Sequence, residues 1–264
     1  MRFGFLMCCI LVLGGCGGGT NSDTTAGPTV VDTAPTQPTT PTPEITAHYR
    51  ILFMGNSHTA ANHMPSMVEL LINQHFDQQG GYAEQVPHYA FLIDHAQSPT
   101  TLAQLQSKDW THVVLQAQKY SQSFQIDYPT TGALTLISRA QSQNANAIMF
   151  PEWAQRNKPN ETDYIHNIHA EIAAETGACV APIGYAWERA LEIRPDIELH
   201  APDGNHANLL GSFLTALVIF ETITGGAADL LTPTPDIAIA DDVQLFLGQM
   251  ASYAIANHPP CDYR

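Results

Sequence analysis

Positive charge is scarce in this sequence: ten Lys and Arg stand against 25 Asp and Glu in 264 residues, a formal net charge of −15. Phosphate binding needs a basic stripe, and the absence of one excludes nucleic acid as a partner. The same deficit excludes electrostatic attachment to anionic lipid. Long apolar runs are also missing, since the stretch Phe3 to Leu13 is too short to span a bilayer. Five cysteines and twelve histidines show no metal-ligand spacing. His166 and His169, three apart on an expected helix, could share a face, yet surface histidines are the plainer explanation, and neither a metal nor a cofactor is expected. No internal repeat is visible. What the chain does have is apolar material: a hydrophobic content of 44% suits one medium α/β domain plus additional sequence.

Met1-Arg2 ahead of the short apolar run reads as a secretory signal. The segment Leu13-Gly14-Gly15-Cys16 resembles a bacterial lipobox, which implies a signal peptide over 1–15 and lipidation of Cys16. An ordinary signal peptide cut elsewhere is the alternative. Gly17 rather than an acidic residue follows, which by resemblance implies the outer membrane in a Gram-negative host. The expected location is therefore the cell envelope, with the lipid as the sole membrane attachment. Residues 16–47, including Pro35-Thr36-Gln37-Pro38-Thr39-Thr40-Pro41-Thr42-Pro43, are too poor in apolar side chains to build a core and read as a tether. The folded domain is then 48–264. It keeps Cys179 and Cys261, which can pair in an oxidising compartment if the fold brings them together.

From His48 onward strand and helix patterns alternate. Strands are expected at 49–54, 86–92, 111–115, 147–150 and 179–183, and helices at 64–76, 101–106, 133–143, 162–176, 185–193, 209–224 and 242–256. Short runs of apolar residues suit buried parallel strands, and the alternation implies an open sheet covered by helices on both faces. Ligands of such sheets bind at the carboxyl ends of the strands.

The first strand delivers Gly55-Asn56-Ser57-His58-Thr59 to that edge, just before a helix. A serine there exposes its hydroxyl and aims its N–H toward a developing oxyanion. It needs a base, and Asp203-Gly204-Asn205-His206 near the C-terminus supplies a carboxylate three residues before an imidazole. The Asp can fix the tautomer through Nδ1 and leave Nε2 to take the serine proton. Alternatively, Asp203 or Asn205 only caps the following helix. Asp163 and Glu161 read as first-turn helix residues. His58 and His63 flank the serine and can line an entrance or pack against it. Trp153, at the fourth strand's carboxyl edge, can form a substrate wall or core.

Both ends together resemble the SGNH/GDSL hydrolase superfamily. The segment Ile51–Thr59 is similar to its first block, with Asn56 in place of the usual Asp, and Asp203–His206 followed by Gly211 is similar to its last. The resemblance implies a flavodoxin-like three-layer α/β/α sandwich with a central parallel sheet of about five strands. It also implies Ser57, Asp203 and His206 as a catalytic triad working through an acyl-enzyme. The middle blocks depart from the pattern. Where members carry Gly-x-Asn-Asp, this chain reads Leu115-Gln116-Ala117-Gln118, so Gln118 is expected to join the Ser57 N–H as oxyanion donor, with Gln116 as the fallback. No glycine marks the other backbone donor in Leu92–Ser98.

The resulting expectation is a carboxylester hydrolase acting on a small-molecule or polysaccharide ester, such as an O-acyl group outside the cell. The rival is a glycan-binding or structural envelope protein without turnover, motivated by the altered middle blocks. A histidine-based metallohydrolase is a third reading.

Overall fold

The computed structural model describes residues 47–76 and 80–261. The expected signal peptide, Cys16 and the tether through residue 46 lie outside the described residues.

The strand β1 (Tyr49–Met54) is followed by a single-turn helix, α1 (Ser57–Ala60), and by α2 (Met64–His75). Then come β2 (Gly81–Gln85), α3 (Leu92–His95), α4 (Pro99–Leu105), β3 (His112–Gln116) and α5 (Thr131–Gln141). The rest is β4 (Asn146–Phe150), α6 (Glu161–Thr176), β5 (Cys179–Val180), α7 (Ile183–Ile193), α8 (Leu209–Thr224) and α9 (Asp241–Asn257). All strand pairings are parallel, in the order β2-β1-β3-β4-β5. The order reverses between β1 and β3, and that switch point opens a crevice at the strands' carboxyl ends.

Why the central strands are uniformly apolar follows from the two layers they serve. Ile51 and Phe53 of β1, with Val114, Ile148 and Phe150, face the core built by α2, α7, α8 and α9. Leu52 and Met54, with Val113, Leu115 and Met149, face the other core, under α5. Successive residues point to opposite faces, and both faces are dry, so no polar alternation survives. The helix α8 is buried almost throughout, from Gly211 to Phe220. Among the described residues no helix is long and apolar enough to cross a membrane.

Several expected elements shift, α4 and α5 among them by two residues at their starts, and three shifts have a visible cause. The second strand lies at 81–85, not 86–92: only Val86 continues the ladder, donating to Phe53 O, and Pro87 has no N–H to offer. Strand β5 holds two residues, because Pro182 stops the ladder after Ala181 donates to Met149 O. The helix α7 accordingly begins at Ile183, two residues earlier than expected.

Cys179 and Cys261 form a disulfide across 82 residues of sequence. It lies beside a backbone bond from Val180 N to Pro260 O of 2.6 Å, so the C-terminal tail runs along the outer side of β5.

Candidate active site

The site begins where β1 ends. Gly55 packs so closely that a Cβ there would collide with the Thr59 hydroxyl and the Gln116 amide. Asn56 follows as the N-cap of α1, its Oδ1 accepting from His58 N at 3.0 Å. Its own N–H donates to Gln116 Oε1 at 2.8 Å, and the Thr59 hydroxyl donates to the same oxygen at 3.0 Å. One buried side chain from β3 thus holds the turn that presents Ser57. Ser57 is exposed, and its N–H belongs to the first turn of a helix, where donors have no partner within the helix.

The other half comes from the loop before α8. Asp203 Oδ1 accepts from Asn205 N at 2.9 Å and from His206 N at 3.0 Å. Its second oxygen, Oδ2, lies 2.6 Å from His206 Nδ1. These bonds, led by the imidazole's, hold the Asp203 carboxyl well below the usual carboxylate range. Gly204 takes a φ of +72° at the tip, and Ala201 N donates to His206 O across the loop at 2.7 Å. The structure brings the two halves together: Ser57 Oγ lies 2.8 Å from His206 Nε2. Helix α8 is capped by Asn208, which accepts from Gly211 N, so Asp203 and Asn205 are not spent as caps.

The segment after β4 supports this loop. Trp153 Nε1 donates to Asn205 O at 2.9 Å, and its ring stacks flat on Trp187 at 4.2 Å. Arg156 N donates to Gly204 O at 2.8 Å. Trp153 is only 2% exposed, so it is a core side chain bracing the His206 loop and not a substrate wall.

The expected oxyanion side chains are placed otherwise. Gln118 reaches the cleft wall, but its amide donates to Lys119 O and Pro129 O at 3.2 and 3.3 Å. Gln116, the fallback, is fully buried and binds the Ser57 turn on one side while donating to Glu152 Oε1 at 2.6 Å on the other. Of the expected donors, the Ser57 N–H is the one without a competing acceptor. The cause lies at Ala117, whose φ of +74° redirects the chain just before Gln118.

His58 is largely buried and borders the cleft with the remaining edge of its ring. Its ring stacks on His206, and its Nδ1 lies 3.1 Å from Asn56 Oδ1. Burial, with His206 nearby, lowers it to about 4. Behind it sits Glu152, which sequence reasoning missed; burial raises its carboxyl to about 7. The signal that could have found it is a charged residue two positions after an apolar strand, at the ligand edge of the sheet. His63 lies apart from this cluster, on a separate groove beside Met67. His166 and His169 are buried rather than surface residues, and each is lowered to about 4 by desolvation. No three potential metal ligands cluster among the described residues.

A cleft of about 520 Å³ opens beside Ser57, with Asn56, His58 and Asn205 in its wall. Phe91, Tyr128 and Ile126 form its far side, and Lys119 Nζ lies 4.3 Å from the Tyr128 ring centre.

No family model matches the chain, and no curated protein is detectably similar to it. Solved structures are similar. One, from Slackia heliotrinireducens, is described as a candidate SGNH hydrolase; it is 27% identical, with a TM-score of 0.52 over 66% of this chain and 98% of its own. A DUF4886 family protein from Bacteroides uniformis shares the fold at 15% identity, with a TM-score of 0.58 over 79% of this chain and 95% of its own. With a five-stranded parallel sheet in this order, a serine at the end of β1 and an Asp-x-x-His loop before α8, the chain is similar in fold to the SGNH/GDSL hydrolases.

Proposed function

We propose that this hydrolase is a serine carboxylesterase with Ser57 as nucleophile, His206 as general base and Asp203 as its orienting carboxylate. The observation that carries the reading is the continuous relay of 2.8 Å from Ser57 Oγ to His206 Nε2 and 2.6 Å from His206 Nδ1 to Asp203 Oδ2. Asp203 accepts a hydrogen bond from Nδ1–H, so Nε2 is the basic nitrogen facing the hydroxyl. As Ser57 attacks an ester carbonyl, His206 takes its proton, and Asp203 stabilises the imidazolium. The Ser57 N–H, at the first turn of α1, donates to the oxyanion. His206 then protonates the departing alcohol, and activates the water that releases the acid from the acyl-enzyme.

The substrate is an O-acyl group on a polysaccharide or another extracellular ester. The open cleft with Phe91 and Tyr128 in its walls supports this, since aromatic faces stack on sugar rings. The protein works in the cell envelope, exported by residues 1–15 and anchored through Cys16. The Cys179–Cys261 disulfide is consistent with an oxidising compartment.

A second reading, glycan binding without turnover, draws on the engaged Gln118 amide. Hydrolysis of p-nitrophenyl acetate by the protein and by Ser57→Ala separates the two. Loss of turnover by about 10⁴-fold or more in the variant is the expected result. Equal rates in both would remove the nucleophile, and no turnover with no fluorophosphonate attachment to Ser57 would leave the binding reading.

A further inference from the structure

The mechanism above leaves unused the carboxyl of Glu152, which lines the cleft 3.7 Å from the ring on which His206 stacks. We infer that Glu152 is a positioning residue, bracing the nucleophile turn through Gln116 and the general base through His58. The role rests on the esterase reading of Ser57 and His206.

The geometry assigns each of its oxygens a task. Glu152 Oε1 accepts from Gln116 Nε2 at 2.6 Å, and the other end of that amide accepts from Asn56 N and the Thr59 hydroxyl. Moving Glu152 therefore moves the oxygen that fixes the residues on both sides of Ser57. Glu152 Oε2 faces His58 Nε2. His58 Nδ1 points at an amide oxygen, Asn56 Oδ1, so Nδ1 carries the proton and Nε2 presents a lone pair. A protonated carboxyl places its hydrogen toward that lone pair. An ionised one places lone pair against lone pair.

The titratable groups around Glu152 add to this. His58 faces it from α1, Tyr120 from the segment after β3, and Glu161 from α6, with Lys158 paired to Glu161 at 3.4 Å. Burial, assisted by the Glu161 charge, raises Glu152 to about 7, against the lowering effect of the Gln116 bond. As pH rises through that value, the Glu152 carboxylate faces the lone pair of the neutral His58 ring, a repulsive contact that loosens the ring on which His206 stacks and lowers the rate.

The test compares the protein with Glu152→Ala and Glu152→Gln. It measures the rate of Ser57 labelling by a fluorophosphonate, and kcat and KM for p-nitrophenyl acetate, between pH 5 and 9. Glu152→Ala is expected to label Ser57 about tenfold to hundredfold more slowly, with a matching fall in kcat and little change in KM. Glu152→Gln, which keeps an acceptor for Gln116 and an N–H for His58, is expected to rescue most of that loss at pH 6. It is also expected to lack the fall in kcat that the native protein shows above pH 7. Labelling of Glu152→Ala at the native rate, or a Glu152→Gln profile that retains the fall, would overturn the inference. If Glu152→Ala does not fold, the pH profile of Glu152→Gln decides alone. A native Ser57 that takes no label defeats the esterase reading and this role with it, whereas a labelled native protein with unaltered variants defeats the role of Glu152 alone.

Discussion

The imidazole of His58 lies stacked on that of His206, with ring centres 4.5 Å apart and planes 26° from parallel. Because burial keeps His58 neutral down to about pH 4, it covers one face of the proposed base without placing a charge beside it. His58→Ala exposes that face to water and frees the ring to turn. The expected outcome is a fall in kcat of about tenfold, with His58→Phe intermediate because it keeps the stack and loses the polar contacts. Steady-state kinetics on p-nitrophenyl acetate checks both.

Asp203→Asn removes the acceptor that fixes the His206 tautomer while keeping the side chain's shape. With an amide in place of the carboxylate, Nδ1 is no longer favoured as the protonated nitrogen, and Nε2 loses its lone pair toward Ser57. A fall in kcat of about 10³–10⁴ is expected, with folding intact by circular dichroism. A loss under tenfold would argue that Asp203 only shapes its loop.

Glu152 and His58 set opposing pH dependences of stability. Glu152 titrates near 4.5 when unfolded and about 7 when folded, so the native state holds the extra proton, and stability falls as pH rises between these values. His58, lowered from 6.5 to about 4, makes the unfolded state the better proton binder, and stability rises over that window. Glu152→Gln removes the first effect alone. Its stability relative to the native protein is expected to improve from pH 4.5 to pH 7 by up to about 3 kcal/mol, then to level off. Urea unfolding at pH 5 and pH 8 measures this, and an equal difference at both pH values would contradict it.

The disulfide closes a loop of 82 residues, long enough for chain-entropy stabilisation of about 4.5 kcal/mol. Replacing Cys179 and Cys261 together by serine is expected to lower the unfolding temperature by about 10 °C. Ser57 labelling should be unaffected, because the bridge lies at the sheet edge away from the cleft. Calorimetry of the oxidised protein and the double variant makes the comparison.

The three central strands and the Asp-x-x-His loop were legible in the sequence because each is a local signal. A strand buried on both faces must be a run of apolar residues, as Ile51–Met54 is, and Asp203 contacts His206 within a single turn. Strand β2 was illegible for the converse reason: Gly81–Gln85 is a half-buried edge strand with no apolar run, while Val86–Leu92 has apolar residues and a proline but extends the ladder only at Val86. Gln118 marks a different limit. Spacing placed it at the right edge of the sheet, but the direction of its amide depends on the positive φ at Ala117, which the sequence gives no reason to expect of an alanine. Gln116 and Glu152 lie 36 residues apart in sequence, and neither residue type announces such a contact. The same holds for Trp153, whose place in the core depends on meeting Trp187.

The tail beyond α9 has a consequence for how molecules of this protein meet one another. The outer side of β5 would otherwise offer unpaired backbone donors to any extended chain that came near, the usual route to edge-to-edge aggregation. Here the Val180 N–H is already taken by Pro260 O, and the bridge to Cys261 keeps it taken. The covering residues, Pro259 and Pro260, have no N–H of their own, so they occupy the edge without extending it. The sheet is closed on that side by a segment with no backbone donor to offer a further strand at those two positions.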